Sequence, residues 1–204
     1  GVPPELAVRW VRQALVGLDY CHRMNVLHRD LTPGNIFLNS PDHALIGDFG
    51  IATNLDVDGT APSAGNQRCR APEGFRGRLT TRSELFSAGA TLWRLLTGSW
   101  PYNATNEDEL ARAMFAEDRP RLRDAAPHVH RSIAAVVETA LDPDPSARPV
   151  DASDMARLLA ECRTHPRNWV RVEAQSTGLA YEATAGRSPL VLDVRFDGVR
   201  RAIE

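Results

Sequence analysis

The sequence contains no lysine, because all 24 of its basic residues are arginine. Any reaction that needs a lysine ammonium group must therefore obtain that group from outside these 204 residues. The 26 acidic residues leave a formal net charge of only −2, which gives no electrostatic reason to expect nucleic acid or an anionic membrane as a partner. No apolar run approaches the roughly 20 residues that a membrane-spanning helix needs.

Cysteine is scarce as well. The three cysteines, Cys21, Cys69 and Cys162, are odd in number and far apart, and none lies in a CxxC or Cys/His pattern. Their spacing gives no sign of a zinc site or of the disulfide framework of a secreted domain. The first ten residues, GVPPELAVRW, have neither the basic start nor the apolar core of a signal peptide. These absences together favour a cytoplasmic location.

The patterns that are present divide the chain into a helical part and a strand-rich part. The apolar stretch SELFSAGATLWRLLTG predicts a helix at the centre of a domain, with Ser83 as its N-cap and Gly98 at its end. Further amphipathic helices are predicted over 107–116, 133–141 and 152–162. From Trp169 onward, apolar and polar residues alternate. We therefore expect a mainly α domain over residues 1–165 and a small β-strand appendage over residues 166–204.

Two features interrupt the predicted helices. The runs IFLN and ALIGD are short β-type segments separated by SPDH, which predicts a β-hairpin. Residues 52–70 show no period and are rich in Thr, Ser, Gly and Asn, which predicts a long loop. Loops of this length inside a compact domain are uncommon and usually carry function.

Five motifs follow one another in the chain: HRDLTPGN at 28–35, DFG at 48–50, APE at 71–73, RSELFSAGATLWRLLTGSWPY at 82–102 and DPDPSARP at 142–149. In this set and order, residues 5–163 resemble the large C-terminal lobe of a eukaryotic-type (Hanks-type) Ser/Thr protein kinase. The resemblance implies a mainly α lobe with a short β-hairpin at the catalytic loop (residues 28–35) and the magnesium loop (residues 48–50). The exclusive use of arginine suggests a GC-rich bacterial genome.

The resemblance implies roles for five residues of the first two motifs. Asp30 would accept the proton of the attacking hydroxyl or orient it. Asn35 and Asp48 would hold Mg²⁺, with Mn²⁺ as an alternative, against the phosphates of ATP. His28 would brace the loop, and Arg29 would lie where a phosphate on the activation segment (residues 48–73) is captured.

Two further roles concern the activation segment. The resemblance implies that Glu73 and Arg148 form a buried ion pair that ties the segment to the lobe. The candidate phosphosites are Thr53, Thr60 and Ser63, of which Thr60 and Ser63 are favoured by position. Hydroxyl residues in such loops are more often unmodified. One interpretation is therefore regulation by phosphorylation of these side chains, and the other is that they are ordinary loop residues.

The sequence departs from the family pattern at several positions. Thr32 replaces the catalytic-loop lysine, and the loss of one such charge predicts a slower enzyme. Asn66 replaces the threonine that touches the catalytic aspartate, and Cys69 replaces a tyrosine. We expect Thr32 and Asn66 to be neighbours that compensate through a direct hydrogen bond. Glu84 replaces the aspartate of the central helix and is expected to anchor the backbone of the catalytic loop.

Compared with the family, the sequence begins at the helix that follows the hinge. We therefore expect the N-terminal lobe, with its glycine-rich loop and phosphate-binding lysine, to come from the same or another chain, and the 204 residues alone to be inactive. The leading interpretation is transfer of phosphate from ATP to Ser/Thr hydroxyls of a protein substrate. A pseudokinase or scaffold that presents the activation segment and the terminal strands of residues 166–204 to a partner protein is the alternative. A small-molecule phosphotransferase of the aminoglycoside-kinase type ranks third.

Overall fold

A computed structural model describes residues 1–40, 43–163, 168–172, 178–185, 188–196 and 201–203. The helices are α1 (Pro4–Arg23), α2 (Thr81–Thr97), α3 (Glu107–Phe115), α4 (Leu122–Ala125), α5 (Arg131–Ala140) and α6 (Ala152–Ala160). The strands are β1 (Val26–Leu27), β2 (Ile36–Ser40), β3 (His43–Ile46), β4 (Thr53–Asn54), β5 (Ala61–Pro62), β6 (Arg78–Leu79), β7 (Asn168–Val172), β8 (Gly178–Ala185), β9 (Ser188–Phe196) and β10 (Arg201–Ile203). Within the described residues, no helix is long and apolar enough to cross a membrane.

Helix α1 packs its apolar face on the rest of the domain. Proline at the first helical position is favourable there because its missing N–H would have no partner in the helix. Val11, Leu15 and Leu18 are fully buried. The helix ends at Arg23, and Asn25 beyond it adopts a left-handed φ of 58°. That turn directs the chain straight into β1, and so toward the catalytic loop.

Helix α2 lies at the centre of the domain, where Phe86 and Trp93 are buried. The prediction of its N-cap was wrong, because the helix begins at Thr81 and its cap is Thr80. Ser83 is the third helical residue, and its Oγ accepts a hydrogen bond of 2.9 Å from the Thr80 N–H in a capping box. The predicted end is confirmed: Gly98 adopts a left-handed φ of 80° at the C-cap.

The hairpin of β2 and β3 places two motif ends side by side. The strands pair antiparallel, with Ile36 opposite Ile46. Gln13 of α1 accepts a 2.7 Å hydrogen bond from the Ala44 N–H, which fastens β3 to the helix. The Gly47 N–H donates to the Asn35 carbonyl oxygen at 3.0 Å. The residues that precede β2 and follow β3 therefore meet at one edge.

The segment predicted as a long loop is fastened at two points. Leu27 of β1 pairs with Thr53 of β4, and Ala61 of β5 pairs with Leu79 of β6. Leu27, Ala61 and Leu79 form a small buried cluster of their own. The prediction of a long loop over residues 52–70 was therefore incomplete, because two-residue strands attach it to the lobe.

The alternating C-terminal region contains a four-stranded antiparallel sheet in the order β10-β9-β8-β7. Tyr181 of β8 pairs with Arg171 of β7 on one side and with Leu192 of β9 on the other. The predicted boundary at 165/166 lies outside the described residues.

Candidate active site

The Asp30 carboxylate is held from two sides. Its Oδ2 accepts a hydrogen bond of 2.8 Å from Asn35 Nδ2, which also donates to the Asp30 carbonyl oxygen at 2.8 Å. Its Oδ1 accepts a 3.2 Å bond from the backbone N–H of Asn66. The catalytic loop and the activation segment thus meet at Asp30, and the carboxylate has a fixed orientation.

Asn35 and Asp48 lie at the adjoining ends of β2 and β3. Asn35 is buried and uses its Nδ2 for Asp30, so its Oδ1 is the atom that a cation would take. Asp48 is exposed, adopts a left-handed φ of 63°, and accepts a 3.2 Å bond from the Gly50 N–H. A non-glycine residue at such a φ is uncommon and is often found at functional sites.

The donor set of Asn35 and Asp48 fits a magnesium ion. Magnesium takes oxygen ligands and is usually held by one or two carboxylates together with substrate phosphates. The described residues contain no group of three His, Cys, Asp or Glu side chains that could hold a metal by themselves. The oxygens of Asn35 and Asp48 therefore suit a cation that arrives with a phosphate ligand.

His28 connects the catalytic loop to the loop that carries Asp48. Its ring is fully buried, and Nε2 lies 2.9 Å from the Gly47 carbonyl oxygen. Nδ1 accepts a 3.3 Å bond from the Asp30 N–H, so Nε2 is the ring atom that donates to Gly47. The ring also packs edge-on against Phe49 at 4.8 Å. These contacts suit a brace rather than an acid or base.

The guanidinium of Arg29 is bonded to backbone carbonyls. Nε donates to the Ile51 oxygen at 2.7 Å, where Nη2 also donates, and Nη1 donates to the Pro62 oxygen at 2.8 Å. Within residues 1–40 and 43–163, none of the hydrogen bonds of Arg29 reaches a hydroxyl of Thr53 or Thr60. In the unmodified chain, Arg29 therefore joins two parts of the activation segment directly.

Glu84 lies beneath the catalytic loop. Its Oε1 accepts the backbone N–H of Arg29 at 2.5 Å, and its Oε2 lies 2.7 Å from His22 Nε2. The longer carboxylate thus reaches the loop backbone, the contact expected of it. His22 was missed, because a histidine near the end of a helix carries no local signal of a contact across 62 residues.

Thr91 of α2 is a second residue that sequence reasoning missed. Its buried hydroxyl donates to the Leu31 carbonyl oxygen at 2.6 Å, inside the catalytic loop. A threonine within an otherwise apolar helix was the available signal, since a buried hydroxyl needs a partner.

The hydrogen bond predicted between Thr32 and Asn66 was wrong: no hydrogen bond joins their side chains in the described part of the chain. The Thr32 N–H instead donates to the Asp30 carbonyl oxygen at 2.9 Å. Asn66 Oδ1 accepts the Arg68 N–H at 3.0 Å, because a short amide side chain readily closes a turn with its own backbone. Asn66 reaches Asp30 through its main chain, not its side chain.

Cys69 is packed behind the activation segment. Burial, reinforced by the nearby Asp30 charge, raises the pKa of the thiol to about 12. The group is therefore neutral and unreactive at ordinary pH. Its carbonyl oxygen accepts a 2.8 Å bond from Ser87 Oγ of α2, so this part of the segment rests on the central helix.

Glu73 and Arg148 form a bidentate ion pair. Arg148 Nη1 and Nη2 lie 2.7 and 2.8 Å from the two carboxylate oxygens of Glu73. Ser83 Oγ also donates to Glu73 Oε1 at 2.6 Å. Burial alone would raise the pKa of Glu73, but the bonds and charge of Arg148 outweigh burial and hold the pKa below its usual value.

The candidate phosphosites differ in their surroundings. Thr60 Oγ1 donates to Asp58 Oδ1 at 2.7 Å and accepts from Arg78 Nε at 2.7 Å. Arg78 Nη2 also lies 2.6 Å from Asp56 Oδ2. The Thr60 hydrogen bonds and, to a lesser extent, the Arg78 charge lower the pKa of Asp58. Thr53 lies in β4.

Ser63 is the remaining candidate phosphosite. Its Oγ is buried and makes no hydrogen bond within the described residues. Its backbone N–H donates to the Gly77 carbonyl oxygen at 2.9 Å. Of the two sites favoured by position, Thr60 is therefore the one that an arginine already contacts.

Comparison with known proteins identifies the family of the chain. A family model described as the protein kinase domain matches residues 2–164. The chain belongs to the protein kinase family. The relatives place this chain in the Hanks-type Ser/Thr kinase family, which confirms the resemblance inferred from the motifs. The mostly helical fold is consistent with the family.

Two bacterial relatives and one vertebrate relative illustrate the similarity. The chain is 31% identical over 158 residues to a probable serine/threonine-protein kinase pknA2 of Bifidobacterium longum, covering 76% of this chain and 21% of that protein. It is 32% identical over 158 residues to PknD of Mycobacterium tuberculosis, covering 75% and 24%. It is 29% identical over 173 residues to the serine/threonine-protein kinase mos of Xenopus laevis, covering 78% and 48%. The chain thus spans less than half the length of each.

Proposed function

We propose that this chain is the C-terminal lobe of a kinase that transfers phosphate from ATP to Ser/Thr hydroxyls of protein substrates. The observation that carries the proposal is the Asp30 carboxylate, which the Asn35 amide and the Asn66 N–H hold at the junction of two loops. Phosphoryl transfer depends mainly on positioning and charge neutralisation, so a fixed carboxylate beside oxygen ligands suits it.

In this proposal Asp30 accepts the hydrogen of the acceptor hydroxyl and orients its oxygen toward the phosphate. His28 keeps the loop in register with Asp48 through its bonds to Gly47 and Asp30. Arg29 has a positioning role, because its backbone is anchored to Glu84 and its guanidinium to the activation segment. Each of these residues acts on the geometry of one carboxylate.

Asn35 Oδ1 and the Asp48 carboxylate would hold Mg²⁺, or Mn²⁺, against the phosphates of ATP. The bound ion would supply neutralisation of phosphate charge. Phe37 and Leu45, paired across the hairpin and about half exposed, form an apolar face next to these residues. Gly47 permits this packing, since a Cβ there would lie 2.7 Å from the Phe37 ring. Such a face suits the base of a nucleotide.

The groups that would cover ATP from the other side are proposed to come from a second lobe, in the same or another chain. The 204 residues contain neither a lysine nor a GxGxxG loop. We therefore expect the chain alone to show no ATP turnover. Thr32 in place of the family lysine would raise the free-energy barrier to phosphate transfer by at most several kcal/mol, the usual contribution of a single electrostatic group.

The test uses the full-length protein incubated with labelled ATP and magnesium, beside an Asp48→Ala variant. Loss of the metal-ligating carboxylate should lower labelling by about 10²–10³-fold, the usual cost of one group that stabilises developing charge. Asp118→Ala, at an exposed carboxylate that follows α3, is the matched control and should label normally. Equal labelling by the native and Asp48→Ala proteins would contradict the proposal.

A pseudokinase scaffold remains the second candidate, and the departures at Thr32, Asn66 and Cys69 favour it. A scaffold would bind ATP or a partner protein without labelling any substrate. In that case the Asp48→Ala variant would retain full partner binding, which the same preparations can measure.

A further inference from the structure

Arg68 lies close to the point where an acceptor hydroxyl would meet Asp30. Its N–H donates to Asn66 Oδ1 at 3.0 Å, and the Asn66 N–H in turn contacts Asp30 Oδ1 at 3.2 Å. Two residues of chain span at most about 7 Å, so the Arg68 Cα lies within about 10 Å of the Asp30 carboxylate. A substrate chain bound there would pass within reach of its guanidinium.

The charge of Arg68 differs from that of its neighbours because it is not neutralised. Arg70 Nη1 pairs with Glu107 at 2.9 Å, and Arg29 is bonded to carbonyl oxygens. Glu107 is further occupied by Gln67 Nε2 at 3.0 Å. Arg68 is exposed, and its guanidinium has no ion pair or hydrogen bond in residues 1–40 and 43–163. The Arg68 guanidinium is thus a cation that no acidic side chain of the described residues neutralises.

A recess of about 170 Å³ adjoins this side chain. It is bounded by Gln67 and Arg68 on one side and by residues 102–106 and Leu110 on the other. One water takes about 30 Å³ of liquid volume, so the recess has room for a short side chain.

The acidic first turn of α3 competes little for Arg68. Glu107 is engaged by Arg70, and Glu109 Oε2 accepts the Thr105 hydroxyl at 2.6 Å. Asp108 lines a separate groove with Arg76 and Phe115. Polar amide and hydroxyl groups, rather than carboxylates, therefore surround the recess beside Arg68.

We infer that Arg68 and this recess select substrates with an anionic side chain within about three residues of the acceptor hydroxyl. The inference rests on the proposed function, since it concerns the substrate of that same site. A carboxylate and a phosphate share the chemistry that an arginine guanidinium recognises, because its planar donors match both anions.

The test compares serine peptides with Ala/Gly flanks that carry Asp, Asn, Arg or phosphoserine at each of three positions on either side. We expect the full-length protein to phosphorylate the best Asp peptide with a kcat/KM about five- to tenfold above its Asn counterpart, which is the range of a typical net hydrogen bond. Arg68→Glu should reverse the order of the Asp and Arg peptides, and Arg68→Gln should remove the preference. A preference for phosphoserine over Asp supports the inference and assigns a pre-phosphorylated substrate.

Arg123→Glu, which makes the same charge change at an exposed position on α4, is the matched control and should leave the preference intact. Equal kcat/KM for Asp and Asn peptides, or a preference unchanged in Arg68→Glu, would overturn the inference. If no peptide is phosphorylated, the binding affinities of the same peptides, carrying a fluorescent label and measured by fluorescence anisotropy, test the inference through the same comparison of Asp with Asn. Absence of both autophosphorylation and peptide labelling would instead count against the proposed function.

Discussion

Two groups of arginine and carboxylate residues join the activation segment to the lobe. The rear pair is Glu73 with Arg148, and the front cluster is Arg78 with Asp56, Asp58 and Thr60. In the rear pair, the Arg148 side chain is fully buried and binds both oxygens of Glu73. Its remaining donors reach the carbonyl oxygens of Arg82, Asp142 and Pro143. Every donor direction of the guanidinium is used, so this pair depends on a preformed pocket.

In the front cluster, Arg78 is 45% exposed and contacts Asp56 and Asp58, which are more exposed still. The chemistry is the same as in the buried pair, but water and salt can replace the partners at little cost. This difference in burial indicates that the rear pair fixes the position of the activation segment on the lobe, whereas the contacts of the front cluster can rearrange. A hydroxyl such as Thr60, within the front cluster, can then change partners without loss of the fold.

The largest expected effect comes from breaking the rear pair on one side only. Glu73→Ala leaves the Arg148 charge buried without its partner, which typically costs about 3–5 kcal/mol. We expect a loss of this size in the free energy of unfolding of the chain, measured by urea denaturation.

The matched control is the double variant Glu73→Ala/Arg148→Met. Because it removes the stranded charge and fills part of the space, it should recover stability relative to Glu73→Ala. A single variant that loses less than about 1 kcal/mol would show that the rear pair behaves like a surface pair and would remove the contrast between the two groups.

A smaller effect is expected from His22, which supports the catalytic loop through Glu84. His22→Ala leaves Glu84 Oε2 buried without its 2.7 Å partner, which costs about 1–3 kcal/mol. Since Glu84 holds the Arg29 N–H, kcat of the full-length protein should fall while KM for ATP stays near its native value. Urea denaturation and steady-state kinetics measure the two effects.

His43→Ala serves as the control, because His43 is an exposed histidine on β3 whose ring lies 3.1 Å from the Asn39 side-chain oxygen. It should leave the urea midpoint and kcat unchanged. A His22 variant with native kcat would show that the support beneath the catalytic loop does not reach Asp30.

The order of the motifs allowed the family, the central helix and the Glu73–Arg148 contact to be predicted, because these depend on residue identity and burial pattern. The residue that caps the central helix was harder to predict. Thr80 and Ser83 both favour a helix start, and the capping box uses both, so the sequence could not rank them. The partners of Arg29 and His22 could not be predicted from the sequence, since these contacts join residues 22 to 62 positions apart in the chain. Such contacts are set by the fold and leave no local pattern.

The smallest effect is expected from the front cluster. Arg78→Ala removes an exposed cation whose partners, Asp56 and Thr60, can turn to water, so the urea midpoint of the chain should not change measurably at physiological salt. Arg123→Ala on α4 gives the background for losing any exposed arginine. A decrease in midpoint as large as that of His22→Ala, and one that persists in high salt, would contradict the prediction. Since screening weakens exposed pairs but not buried ones, such a salt-independent loss would mean that Arg78 fixes the segment as firmly as Arg148 does.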